Sequence, residues 1–156
     1  MDRDGEPVGT GLDVLERVVR RRGDWEKLLG NRANLDRLIL ASGGYLRDLF
    51  RLLQAVLRRA RTGPLPVEAH AIEQALDEVR NSYLPVTRSD ALWLARVAES
   101  NQPELVVHRA HDRETANLYN LARFFDTHMM LCYRDGREWY DVHPLIRDEV
   151  ERQASS

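Results

Sequence analysis

Hydrophobic positions recur every three or four residues along most of the chain, the mark of amphipathic helices. Leu12, Leu15, Val18 and Val19 give one apolar face to a helix over 11–22, closed by Gly23. Asp24 to Leu29 reads as a short helical turn stopped by Gly30. Asn31 or Asn34 caps the next helix, whose inner face is Leu35, Leu38 and Ile39, and Ser42-Gly43-Gly44 ends it. Leu46, Leu49, Phe50, Leu53, Leu57 and Ala60 then form one long apolar stripe, with Arg47, Arg51 and Arg58 on the opposite side. Gly63-Pro64-Leu65-Pro66 breaks that helix. Val67-Glu68 opens another, with Ile72, Ala75, Leu76 and Val79 facing in, which runs to about Tyr83 and stops before Pro85.

The second half has a different rhythm. Thr87 or Ser89 caps a helix with Ala91, Leu92, Leu94, Ala95 and Ala98 as apolar positions, ended by Asn101-Gln102-Pro103. Residues 103–112 read as a short helix or a loop. From Arg113 a helix carries Leu118, Leu121, Ala122 and Phe125 inward. His128 to Tyr133 reads as a strand and Glu138 to Val142 as its return, joined by a turn at Arg134-Asp135-Gly136-Arg137, where Asp-Gly supplies positive φ. His143-Pro144 begins a last helix through Val150, with Pro144 where its missing N–H costs nothing. The expected fold is mainly α. Coil over 1–10 leads into a small helical bundle over 11–84, and Leu84-Pro85-Val86 serves as linker. A winged helix-turn-helix with a β-hairpin follows over 87–152, then a disordered tail over 153–156.

Composition narrows the classes. Among 156 residues, 43% are hydrophobic and 31% charged, the balance of a soluble globular protein. No apolar run approaches the roughly 20 residues of a membrane helix. The opening Met1-Asp2-Arg3-Asp4-Gly5-Glu6 has no apolar core behind it, so no secretory signal is expected. Cys132 is the sole cysteine, which excludes an internal disulfide and a multi-cysteine zinc site and fits a reducing cytoplasm. The net charge of −2 hides an asymmetry: twelve basic residues against six acidic from Gly11 to Thr62, and nine against twelve from Thr87 to Ser156. Positive charge therefore gathers around Gly43-Gly44-Tyr45-Leu46-Arg47, either as a solvated arginine surface or as a face toward phosphate.

The segment Ser42 to Leu53 resembles the sensor 2 helix in the lid of AAA+ and STAND-type P-loop ATPases. The order of helical lid then winged helix is also theirs, and Leu131 to Ile146 looks like the C-terminal wing of bacterial ATPases of that kind. Asp2 to Pro7 is similar to the last coil of a nucleotide-binding core. The resemblance implies that Arg47, with Gly44 and Arg51 beside it, meets the terminal phosphates of a nucleotide. It also implies two partners, an ATPase core or parent protein and a protein bound by the winged helix. No Gly-x-x-x-x-Gly-Lys-Ser/Thr loop and no acidic strand motif for magnesium stand in this sequence. The chain by itself is therefore not expected to be an enzyme, and ATP or ADP with Mg is expected only in the context of such a core.

A second reading is a free-standing winged-helix DNA-binding regulator. Its recognition helix would be Arg113 to Phe125, presenting Asn117, Asn120 and Arg123, with Arg134 and Arg137 on the wing. The net negative charge of this half argues against strong DNA binding, which depends on neutralising phosphates. His108 and His111 beside Asp112 are conceivable metal ligands but read as solvated, and no metal is expected. Asp141 and His143 could form a dyad, but no activated Ser or Cys accompanies them, so His143 reads as ordering the turn before Pro144. Trp139 and Tyr140 face opposite sides of their strand, while Trp25 and Trp93 read as core aromatics.

Overall fold

The computed structural model describes residues 8–61, 63–103 and 112–156, without the side chains of 112–117 and 135. The chain divides into two compact units, Met1–Ser82 and Tyr83–Ser156. The first holds α1 (Gly9–Arg20), α2 (Trp25–Leu29), α3 (Arg32–Ala41), α4 (Leu46–Ala60) and α5 (Ala69–Asn81). The second holds α6 (Arg88–Ser100), α7 (Asp112–Asp126), β1 (Met130–Asp135), β2 (Arg137–Val142), a 3-10 turn (Pro144–Ile146) and α8 (Arg147–Ala154). The protein is thus mainly α-helical, with one two-stranded antiparallel hairpin near its C-terminus.

Side-chain caps fix the helix starts in the first unit. Asp24 Oδ1 accepts from Lys27 N at 3.0 Å, and Asn31 Oδ1 from Asn34 N at 2.9 Å, which makes Asn31 the cap of α3. Gly30 closes α2 at φ +80°, and a Cβ there would meet Pro66 at 2.9 Å. Around α3 pack α1, α2, α4 and α5, and α4 also packs along α5. Leu35 and Leu38 of α3, Leu49, Leu52 and Val56 of α4, and Ile72 and Ala75 of α5 are buried. Each large side chain withdrawn from water in this way contributes about 1.5–3 kcal/mol.

In the second unit the Thr87 hydroxyl accepts from Asp90 N at 3.2 Å, and Asn101 closes α6 in the left-handed region at φ 57°. The core joins Ala91, Leu94 and Val97 of α6, Phe124 of α7, Met130 and Val142 of the hairpin, and Ile146 and Val150. His143 is fully buried, and its Nδ1 accepts from Leu145 N at 3.2 Å, ordering the turn at Pro144. Trp93 is half-buried against this core, and Trp25 of the first unit is buried.

Three features differ from the sequence reading. Leu118 is 65% exposed and Ala122 is exposed, where both were expected to face in. Phe124, fully buried, takes the core position, and this rotates the inward face to Leu121, Phe124 and Phe125. The hairpin pairs Arg134 with Glu138 and Tyr133 with Trp139, so its tip is centred on Gly136 at φ 69°. A two-residue Asp-Gly turn would set Arg134 opposite Arg137, and like charges directly opposite repel. The observed register instead pairs opposite charges and stacks the Tyr133 and Trp139 rings 4.4 Å apart. Finally, α8 runs through Gln153 and Ala154, where a disordered tail was expected. Gln153 Nε2 donates to Glu149 at 3.0 Å, and Ala154 lies against the core.

The rotation of α7 is testable. Phe124→Ala should cost about 3–5 kcal/mol of stability, and Leu118→Ala no more than about 0.5 kcal/mol, in urea unfolding followed by circular dichroism. The reverse order would mean that the helix seats its other face.

Candidate functional site

The join between α3 and α4 is a Schellman turn built by two glycines. Gly44 N donates to Ile39 O at 3.3 Å and Gly43 N to Leu40 O at 2.9 Å. Both residues are left-handed, at φ 61° and 76°, a conformation that costs any residue with a Cβ. The Ser42 hydroxyl donates to Ile39 O at 2.7 Å and seals the same end.

Beyond the turn, α4 starts behind Tyr45 with no side-chain cap. Its second and third residues diverge. Asp48 turns inward and is 1% exposed, while Arg47 turns outward and is exposed. The buried carboxylate sits in the first turn of α4, where the helix dipole favours negative charge. It also holds Arg51, whose Nη1 lies 2.8 Å from Asp48 Oδ1 and whose Nη2 donates to the Ser82 hydroxyl at 2.8 Å. Arg51 is therefore tied to α5's end, a bond the sequence reading missed. The Asp48–Arg51 spacing was visible as i, i+3, but Ser82 lies too far along the chain to be inferred.

Other arginines near this face are also committed. Arg58 and Arg59 both bind Glu78, the latter at 2.9 Å, and Arg37 binds Glu73. Hydrogen bonds from Arg59 and then Arg58 hold the Glu78 carboxyl below its ordinary 4.5. Arg47, in contrast, has no hydrogen-bond or ion-pair partner among the described residues. Chemically, the site offers one unengaged guanidinium at a rigid helix start, with five N–H donors suited to two oxygens of a phosphate.

The candidate DNA contacts do not come together in this way. Arg123 forms a bidentate pair with Asp90, its longer contact 3.2 Å, and so ties α7 to α6. Arg134 pairs with Glu138 across the hairpin, and its hydrogen bond keeps that carboxyl below the ordinary glutamate value. Asn120 is half-buried and Arg137 exposed. The side chain of Asn117, and His108 and His111, lie outside the described residues. Asp141 binds Arg147 and accepts from Val142 N at 2.7 Å. Burial lifts the Tyr133 phenol well above the usual tyrosine range. Among the described residues no group of His, Cys, Asp and Glu could hold a metal ion, and no helix is long and apolar enough to cross a membrane.

No protein-family model, curated protein or solved structure matches the chain.

The depressed Glu78 carboxyl sets a pH dependence. A carboxyl whose folded pKa is lowered stabilises the fold above its unfolded pKa and loses that contribution as pH falls through the folded value. Stability should therefore decline as pH drops from above 4.5 to below it, and Glu78→Gln should make that decline shallower. Thermal melts of both proteins over this range measure it; parallel curves would contradict the coupling.

Proposed function

We propose that this chain is the C-terminal helical lid and winged-helix region of an AAA+/STAND-like ATPase. The first unit is the lid, and the second, with its helices and hairpin, is the winged helix. In this reading the lid covers a nucleotide bound by a P-loop core and Arg47 meets the terminal phosphate. The winged helix relays lid position to a protein partner. The setting is cytoplasmic, and ATP or ADP with Mg is held by the core rather than by these residues.

The observation that carries the reading is the contrast between Arg47 and its neighbours. Arg51, Arg58 and Arg59 are all bound within their own unit, while Arg47 is exposed and unengaged among the described residues, just beyond a turn that fixes where its side chain leaves the backbone. A guanidinium so placed touches phosphate only when the lid closes, which couples nucleotide state to lid position. The DNA-binding alternative is not favoured, because Arg123 and Arg134 are spent on Asp90 and Glu138. With few free cations there is little phosphate to neutralise and little affinity to gain.

The test joins the chain to its P-loop core and compares wild type with Arg47→Ala. Loss of a charge-assisted contact worth about 1.5–3 kcal/mol should weaken binding of an ATP analogue or slow turnover by about 10- to 100-fold. Unchanged affinity and turnover would reject the role. A gel shift of the chain on duplex DNA at low salt should show no complex.

A further inference from the structure

The head of α4 begins without a side-chain cap, so its first N–H groups lack the acceptor that steadies a capped helix start. Two backbone bonds define its first turn: Asp48 N and Leu49 N both donate to Tyr45 O, at 3.1 and 3.0 Å. Arg47 leaves the backbone within that turn. Arg47 and Arg51 stand one turn apart on the same helix face, where two uncompensated cations repel.

A chain of hydrogen bonds runs from this turn to the end of α5. Arg51 Nη1 lies 2.8 Å from Oδ1 of the buried Asp48. Arg51 Nη2 donates to the Ser82 hydroxyl at 2.8 Å, and that hydroxyl donates to Val79 O at 2.7 Å. Ser82 is the C-terminal cap of α5. One guanidinium thus spends its donors on a carboxylate at the head of α4 and on the last turn of α5, a division of contacts that its planar fork permits. The pairs of Arg58 and Arg59 with Glu78 tie the same two helices near the opposite end of α4.

We propose that Arg51 is the positioning residue for Arg47: by joining Asp48 to Ser82 it holds the first turn of α4 against the end of α5. This deepens the nucleotide role proposed above, and it rests on that reading for the ligand that Arg47 meets. From the sequence, Arg51 stood beside Arg47 as a phosphate contact. In the structure both of its terminal nitrogens are engaged, on Asp48 and on Ser82, so its part is indirect. Asp48 answers the charge of Arg51 and lets two arginines stand one turn apart. Once Arg51 is removed, the buried carboxylate has lost this cation. The readiest relief is for the turn to open and bring Asp48 to water.

The test is amide hydrogen exchange of the full chain, followed by NMR at the Asp48 and Leu49 amides. Loss of hydrogen bonds to a charged group should make Arg51→Gln speed exchange at both by at least about tenfold. Ser82→Ala, at an exposed position, should speed it by about threefold or more. The double variant should be no faster than Arg51→Gln, since Ser82 acts through Arg51. Arg51→Lys, which keeps a cation for Asp48, should restore part of the protection. Glu78→Ala cuts the tie at the other end of α4 and should leave both amides unchanged. An equal rise in Glu78→Ala, additive effects of the two substitutions, or a rise at Val56 and Ala75 as large as at Asp48 would overturn the proposal, because Arg51 would then stabilise the bundle as a whole. If Arg51→Gln unfolds the chain, Ser82→Ala and Arg51→Lys carry the same comparison. With the P-loop core attached, Arg51→Gln should weaken binding of an ATP analogue less than Arg47→Ala does, and should add nothing to it in the double variant. Equal weakening with and without Arg47 would make Arg51 a direct contact and end its positioning role. Normal binding by Arg47→Ala would sink the nucleotide reading alone, and the exchange pattern judges the hold on α4 by itself.

Discussion

The left-handed pair Gly43-Gly44 is the constraint on which the first unit depends. One turn ends α3, starts α4 and fixes the rotation of α4 about its own axis. That rotation decides that Leu49, Leu52 and Val56 enter the core and that Asp48 is buried. It decides equally that Arg47 cannot reach Asp48's side of the helix. A residue with a Cβ at either glycine would bear the strain of a left-handed backbone, and the two glycines avoid it. The same hydrogen bonds that satisfy the end of α3 thus aim a cation into solvent.

Around that turn the distribution of charge follows a simple rule. Carboxylates of α4 and α5 are matched to arginines: Asp48 to Arg51, Glu73 to Arg37, and Glu78 to both Arg58 and Arg59. The exposed pairs at Glu78 add little stability singly, but all of these pairs remove their arginines from other uses. Of the arginines that have no carboxylate partner among the described residues, Arg47 stands at the head of α4 and Arg22 beside the Phe50 ring. In the second unit the same logic consumes Arg123, Arg134 and Arg147 on Asp90, Glu138 and Asp141. Surplus positive charge on the first unit and its absence from the hairpin direct the proposed contacts of each.

Local features were legible in the sequence and distant pairings were not. Helical spacing gave the order of α1 to α8, glycines and asparagines marked their ends, and Asp-Gly marked the hairpin. The inward face of α7 was misplaced because Leu118 and Phe124 compete for it, and only packing against Ala91, Leu94 and Met130 settles which wins. Hairpin register was missed for a similar reason: the turn dipeptide suggests one loop length, while the Arg134–Glu138 and Tyr133–Trp139 pairs select another. Arg51 stood beside Arg47 as a site candidate, and its bond to Ser82, 31 residues away, is invisible to periodicity.

A lid works by contacts that exist in one position and not in another. An exposed arginine at the head of a helix fits that requirement, because the turn fixes where its side chain leaves the backbone and its donors have no partner among the described residues. The most direct measurement is the structure of the chain together with its P-loop core and a non-hydrolysable ATP analogue with magnesium. The account predicts Arg47 nitrogens at about 2.7–2.9 Å from oxygens of the terminal phosphate. Arg47 left in solvent, or paired with a carboxylate of the core while the nucleotide is bound, would contradict it.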